Sequence, residues 1–535
     1  MKLLSYFSFI NKANITNTLY HIKTFGVRSA VEKIWNYLNL SQTYNAWMKK
    51  HLPDAAELDR QRADQTVQGP LFSIIVPVYH TPERFYRQLL DSVAAQTYPV
   101  WELCIADGSA DASCPWLREL AEEYGKKNNV RYLALSENLG ISGNTNAALQ
   151  MASGDFIALL DHDDLLTPHA LYEAAVRIRK DPEADVLYSD EDKTDIDNSM
   201  YYDPYFKPDF NLDLLRSCNY ITHFFIVRKS LISRTGMFSE QLDGSQDYDF
   251  ILRTAEQARK IIHIPHILYH WRIHPASVAG DPESKSYAYD AACNALQQHL
   301  DRCGQDASVS LSSHFGYYQV QYNLTEKPLI SVYTRNCSED ILAQISETAG
   351  YENLEMISSL SEAKGSYILL LHDVKQILTA NWVRPLLANC LRENVAAVGP
   401  KTLCSPGIVL DSGLLFTKDG RLHSPFYHLS VDSPGYCYHA MVQRSWSILG
   451  ANCILLRTED LKHYGQSSSS YENMIWELCL RLSGTGRNLV ILPDIQMLCR
   501  DRRQPLPVIT SCIGKNDPCY NPNFSGKLCY HLSLR

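Results

Sequence analysis

In the stretch GDFIALLDHDDLLTPHAL, residues 154–171, three carboxylates and a histidine fill four consecutive positions, Asp161, His162, Asp163 and Asp164, directly after an apolar run. A hard divalent cation such as Mg2+ or Mn2+ takes one or two carboxylates and completes its shell with water and phosphate oxygens. Asp161 and Asp163 are therefore expected to hold a metal diphosphate, with Asp163 the better placed for direct ligation. An isolated D-x-D is common on solvated loops, so its weight here comes from context. Carboxylates at the end of a buried strand converge on a crevice, whereas in mid-strand they would be buried unpaired. Two further stretches could supply partners. GSQDYDFILR (244–253) sets Asp247 and Asp249 at a helix start, where acids serve either chemistry or capping. YHWRIHPASVA (269–279) carries His270, Arg272 and His274, which read either as ligands or as satisfied structural residues.

The elements that must position these groups follow from the apolar pattern. LFSIIVPVYH (71–80) is a short β-branched run suited to a buried strand, ERFYRQLLDSVAAQTY (83–98) has helical spacing, and WELCIADGS (101–109) is a second strand ending at Asp107. A second helix, PWLRELAEEYGKK, and a third strand, VRYLALSEN, continue the alternation, which predicts an α/β domain on a mostly parallel sheet. Asp107 and the Asp161–Asp164 cluster then face one crevice beyond the strand ends. PLISVYTRN (328–336) echoes the first strand, and GSYILLLHDVKQIL (365–378) echoes the acidic stretch, so the chain reads as a tandem repeat. The expected organisation is an N-terminal helical segment over 1–66, a first α/β domain over 67–305, a linker over 306–325, a second over 326–510 and a tail over 511–535.

Composition narrows the class. With 45% hydrophobic and 20% charged residues in 535, the chain is ordinary globular material for more than one core. Fifty basic against 59 acidic residues give a formal charge of −9, which disfavours nucleic acid as a partner. Fifteen cysteines are scattered singly, without a CxxC pair, which fits reduced thiols in a cytoplasmic compartment. No run approaches the ~18 apolar residues of a membrane span, and the N-terminus lacks the marks of a signal peptide. Residues 1–50 hold seven Lys or Arg against the single acid Glu32, interleaved with aromatics. That pattern fits either a solvated helical face or peripheral contact with the inner face of the cytoplasmic membrane.

As an ordered set, SIIVPVY, ELCIADGS, NLGISGNTN, ALLDHDD, YSDEDK, YFKPDF, CNYITH, GSQDYDFILR and YHWR resemble the inverting family-2 glycosyltransferases that build bacterial surface polysaccharides, including rhamnan and O-antigen enzymes. The resemblance covers about residues 70–280. It implies a GT-A fold in two tandem copies, a nucleotide-sugar donor, a divalent metal (Mn2+ or Mg2+) and a lipid-linked oligosaccharide or polysaccharide acceptor. It implies that Pro77, Tyr79 and Asp107 line the nucleoside pocket, that Asp161 and His162 approach the donor, and that Asp163 ligates the metal. Asp247 would be the general base, and His270, with His274 as its alternative, would sit near the diphosphate. Asp190 and Asp192 of YSDEDK would flank the donor sugar or acceptor. Many relatives carry two acids in the turn after the second strand, whereas ADGS has only Asp107, which bears on nucleoside selectivity.

The second copy reads as degenerate. Leu371-His372-Asp373-Val374 stands against Asp161–Asp164, and Ile475-Trp476-Glu477 against Asp247-Tyr248-Asp249, which leaves a structural or acceptor-docking module. Two other functions compete. One is a nucleotide-sugar-binding or scaffold protein derived from a transferase and lacking catalysis. The other, a sugar nucleotidyltransferase, calls for a glycine-rich phosphate loop after the first strand, and PVYHTPERF has no glycine.

Overall fold

The computed structural model describes residues 43–64, 69–109, 114–274, 286–465, 470–501, 506–526 and 529–533, with three isolated positions before them. Strand β1 (Phe72–Val78) is buried along its whole length. Its alternation sends Phe72, Ile74, Val76 and Val78 into one apolar cluster and Ile75 into the other, as expected for a strand covered by helices on both faces. The first cluster takes helices Glu83–Ala94, Trp116–Gly125 and Ala170–Lys180, and the second takes Gly140–Met151 and Gln246–Gln257. In Glu83–Ala94 the buried stripe Phe85, Tyr86, Leu89, Leu90 and Val93 follows the helical period.

The first sheet adds β2 (Trp101–Asp107), β3 (Val130–Ala134), β4 (Phe156–Leu159), β5 (Leu165–Leu166), β6 (Val186–Thr194), β7 (Tyr201–Tyr205), β8 (Phe225–Arg228) and β9 (Ile261–Arg272), in the order β3-β2-β1-β4-β8-β6-β9-β5, with β7 beside β6. β3, β2, β1 and β4 are parallel, but β8 runs antiparallel between β4 and β6, so the sheet is mixed rather than mostly parallel. The chain enters β8 after β7 and the short helix Leu212–Ser217, without a crossover helix to reverse its direction. Pairing of β1 with β4 ends at Ile75 and Leu159, and Pro77, which has no N–H to offer, lies just beyond. The strands part there and open the crevice.

Residues 307–322, expected as a linker, form the antiparallel hairpin β10 (Ala307–Leu311) and β11 (Tyr318–Tyr322). The second sheet comprises β12 (Ile330–Arg335), β13 (Leu354–Ile357), β14 (Tyr367–His372), β15 (Val374–Ile377), β16 (Val395–Ser405), β17 (Ile408–Asp411), β20 (Arg444–Trp446), β21 (Cys453–Arg457) and β22 (Asn488–Cys499); the minor pair β18 (Leu415–Phe416) and β19 (Leu422–His423) stands apart. Its order, β13-β12-β14-β21-β16-β22-β15, is that of the first sheet without β3. One polar pin is duplicated. Ser73 Oγ donates to Glu102 Oε1 at 2.6 Å while accepting from Gly154 N, and Ser331 Oγ donates to Glu355 Oε1 at 2.5 Å while accepting from Gly365 N. A Cβ on Gly154 would meet Leu71 O at 2.5 Å and one on Gly365 would meet Leu329 O at 2.5 Å, so both copies need glycine there.

The two sheets share buried contacts. Arg392 donates to Asp213 at 2.7 Å with both side chains at most 4% exposed, and Asn211 Nδ2 donates to Ser445 O. The C-terminal residues pack into this junction, where Asn521 Nδ2 donates to both oxygens of Asp190. The helix over 43–51 also docks there: Tyr44, Trp47 and Met48 are buried in an apolar cluster that spans both domains. This part of the basic N-terminal segment is therefore packed core, while residues 1–42 lie, apart from isolated positions, outside the described residues. Asp54 caps helix Ala55–Ala63, which falls within the segment expected to be helical, and Gln61 accepts from Thr97 Oγ1. Among the described residues no helix is long and apolar enough to cross a membrane.

Candidate active site

The acidic turn after β4 is held by β9. Asp164 is buried and accepts from Tyr269 OH at 2.6 Å and from Arg272 N at 2.7 Å, while Arg272 Nε donates to Asp163 O. Burial, with Asp163 and Asp161 beside it, pushes the Asp164 carboxyl well above the usual range. Asp164 thus shapes the turn and leaves Asp161 and Asp163 to face the crevice. Asp163 Oδ2 lies 2.8 Å from His274 Nε2, and His162 Nδ1 lies 2.9 Å from Thr81 Oγ1, beyond the end of β1.

Of the two competing histidines, His274 stands at Asp163. His270 is held elsewhere, with Nδ1 2.5 Å from Asp192 Oδ1 and its ring against Tyr201. The Asp163–His274 pair fits a divalent cation. Adjacent ligands at ~2.1 Å around an octahedral ion stand about 3.0 Å apart, close to the 2.8 Å found, and both side chains are partly open, at 19% and 14% exposure.

His223, from the CNYITH motif, joins the site without having been singled out from the sequence. Its Nε2 is 3.6 Å from Asp161 and its Nδ1 3.3 Å from Glu191. Burial opposes its charge, yet these two carboxylates outweigh burial and hold the imidazole protonated well above the usual histidine range. Glu191 also pairs with the buried Lys207 Nζ at 3.1 Å, and Lys207 donates further to the carbonyls of Ile221 and His223. Burial works against the Glu191 charge as well, but Lys207 and His223 prevail and bring its carboxyl to about 2. Asp247 lies in the first turn of helix Gln246–Gln257 and accepts from Asn219 Nδ2 at 2.9 Å. Burial raises its carboxyl above the ordinary value, with His223 and Asp161 as electrostatic neighbours. Its companion Asp249 is bound by Arg253 at 2.6 Å and is structural.

Two expected donor contacts are placed differently. Asp190 is fully buried, bound by Lys207 N, His263 and Asn521, and so cannot flank a sugar. Asp192 is likewise buried, between Tyr44 OH and His270. Successive residues of β6 point to opposite faces, so these two acids share the side away from Glu191. Asp107 stands at the crevice end of β2, but its oxygens already accept from Ser109 N at 2.8 Å and Tyr132 OH at 2.5 Å. Tyr79, just past the end of β1, is 46% exposed, with its ring edge-on to that of His80 at 4.3 Å.

The register of the second copy corrects the sequence alignment by one residue. Leu165 pairs with His270 and Gln376 with Leu498 at matching places in the two sheets, which sets His372 opposite Asp161 and Val374 opposite Asp163. The helix alignment stands on a repeated contact. Arg253 binds Asp249 and Thr235 O, and Arg481 binds Glu477 and Tyr464 O. Ile475, wholly buried, therefore occupies the place of Asp247.

Residues 73–236 match the model of the glycosyl transferase family 2 domain. The chain is 28% identical over 510 residues to the uncharacterized protein y4gI of Sinorhizobium fredii, covering 85% of this chain and 56% of that one. It is 27% identical over 545 residues to the O-antigen biosynthesis protein RfbC of Myxococcus xanthus, covering 90% and 42%. Over 206 residues it is 30% identical to the chondroitin synthase of Pasteurella multocida, covering 38% and 21%. The chain thus spans about half the length, or less, of these curated relatives. The segment that matches the family 2 glycosyl transferase domain includes Asp161, Asp163, Glu191 and His223 but ends before Asp247 and His274.

Proposed function

We propose that the family 2 domain, completed by helix Gln246–Gln257 and β9, transfers a sugar from a nucleotide-sugar donor to an acceptor hydroxyl with inversion at the anomeric carbon. The observation that carries this reading is the convergence of Asp247, His223, Asp161 and the Asp163–His274 pair on one crevice. Tyr79 stacks on the base of the donor, and Asp163 and His274 hold a divalent cation, Mn2+ or Mg2+. When bound, that ion supplies Lewis-acid neutralisation of the departing diphosphate. His223, kept cationic by Asp161 and Glu191, adds a fixed positive charge to the same region. Asp247 accepts the proton of the attacking hydroxyl. Its raised pKa suits a base that must be ionised at neutral pH yet take up a proton as the bond forms. A single displacement needs no enzyme nucleophile. Transfer to a lipid-linked or polysaccharide acceptor of a bacterial surface glycan is supported by the likeness to the O-antigen biosynthesis protein over most of this chain.

The test is a panel of UDP-, dTDP-, GDP- and CMP-sugars with Mn2+, read by thermal shift for binding and by nucleotide release for turnover. One donor should stabilise the protein, and the Asp247→Asn variant should bind it equally while turnover falls by about 10²-fold or more. Unchanged turnover would remove Asp247 from the mechanism, and the absence of any nucleotide-dependent shift would favour the non-catalytic reading.

A further inference from the structure

Because the second sheet repeats the strand order of the first, the end of β14 is the place where a second site would lie. Three side chains meet there. His372, the last residue of β14, is only 4% exposed. Its Nε2 stands 3.3 Å from Glu472 Oε1 and 3.5 Å from Asp373 Oδ2, and the three ligand atoms all lie within 4.8 Å of one another. Glu472 comes from the extra first turn that helix Tyr471–Ser483 has gained relative to Gln246–Gln257, so this set does not copy the first site.

A hydrogen bond between His372 Nε2 and Glu472 Oε1 at 3.3 Å accounts for one of these approaches, but one imidazole nitrogen donates well to one carboxylate only, which leaves the approach of Asp373 at 3.5 Å unaccounted for. Elsewhere in the cluster, His372 Nδ1 and Asp373 Oδ1 are buried without a hydrogen-bond partner, and Arg500 approaches Asp373 Oδ1 only to 3.9 Å. The two separations from His372 Nε2 also suit a bound cation: ligands at ~2.0–2.1 Å around a tetrahedral ion stand about 3.3–3.4 Å apart. We propose that His372, Asp373 and Glu472 form a second divalent-cation site of the Zn2+ type, with one imidazole nitrogen and two carboxylate oxygens as ligands. Glu472 and Asp373 are 31% and 20% exposed, so the fourth position opens toward solvent.

The experiment uses the full-length chain carrying Asp163→Ala, stripped with a chelator and titrated with Co2+ and with Zn2+ by calorimetry and visible spectroscopy. One equivalent should bind with a tetrahedral Co2+ spectrum lacking thiolate charge transfer. Adding His372→Ala or Glu472→Gln should weaken that binding 10-fold or more. Glu472 is partly exposed, so Glu472→Gln gives the same readout where His372→Ala fails to fold. Binding of undiminished affinity in the Glu472→Gln protein, a thiolate band, or no binding by the parent would overturn the proposal.

Discussion

Replacing Glu191 by Gln removes the carboxylate that pairs with the buried Lys207, at 3.1 Å, while keeping the shape of the side chain. Deleting one partner of a buried ion pair costs about 3–5 kcal/mol, because the remaining charge stays buried uncompensated. Lys207 keeps the carbonyls of Ile221 and His223, so the low end, ~3 kcal/mol, is expected. For a cooperative unit of about 200 residues this is a fall in Tm of roughly 6–12 °C. The pH dependence has a definite sign. Folding lowers the Glu191 carboxyl from 4.5 to about 2, so its contribution is complete above pH 4.5 and is lost as pH falls toward 2. Scanning calorimetry of wild type and Glu191→Gln should show a gap at neutral pH that narrows as pH falls below 4.5. The double variant Glu191→Gln, Lys207→Met should recover part of the loss, since no ammonium is then left buried without its carboxylate, although the carbonyls of Ile221 and His223 lose their donor. An unchanged Tm in the single variant, or no recovery in the double, would refute this reasoning.

Arg392→Met strips the buried Asp213 of its ion-pair partner across the domain junction and should destabilise the protein by about 3–5 kcal/mol, seen as an earlier calorimetric transition. Asn521→Ala leaves Asp190 short of two hydrogen bonds from Nδ2 and should cost about 1–3 kcal/mol, measured the same way. Asp163→Ala should abolish the Mn2+ dependence of donor binding in a thermal-shift assay, whereas Asp192→Asn, at a carboxylate hydrogen-bonded by Tyr44 and His270, should lower stability without that effect. Asp185 is held at about 2, chiefly by Arg259. Asp185→Asn should therefore reduce stability above pH 3.8, and the difference from wild type should fade as pH drops toward 2 in acid-unfolding curves.

The alternation of apolar runs and helical stripes made the sheet legible, because a strand buried on both faces, such as FSIIVPV, can be little else. The tandem repeat was legible for the same reason. The direction of β8 was not, since strand polarity depends on the path of the connection rather than on the strand's own residues. Acids divided similarly. Asp163 and Asp247 follow a strand end and a helix start, where local position carries information. In YSDEDK the three acids look alike, and only the parity of β6 separates Glu191, beside His223, from Asp190 and Asp192, whose partners Asn521 and Tyr44 lie far away in sequence. His223 was quoted within a motif but gained a role only when two carboxylates were seen to bracket it. The one-residue error in aligning the second acidic stretch has the same origin: strand pairing, not local similarity, fixes which residue stands opposite Asp161.

The bond from Asn521 to Asp190 joins residues 331 positions apart, and this sets a clock on biosynthesis. At about 5–20 residues per second, β6 leaves the ribosome roughly 15–65 s before the amide that satisfies its buried carboxylate exists. Through that interval Asp190 lacks the amide of Asn521 and Phe206 lacks the ring of Phe524 that packs against it at 5.3 Å. The junction between the two sheets is consequently completed last, when the C-terminal residues arrive to close it.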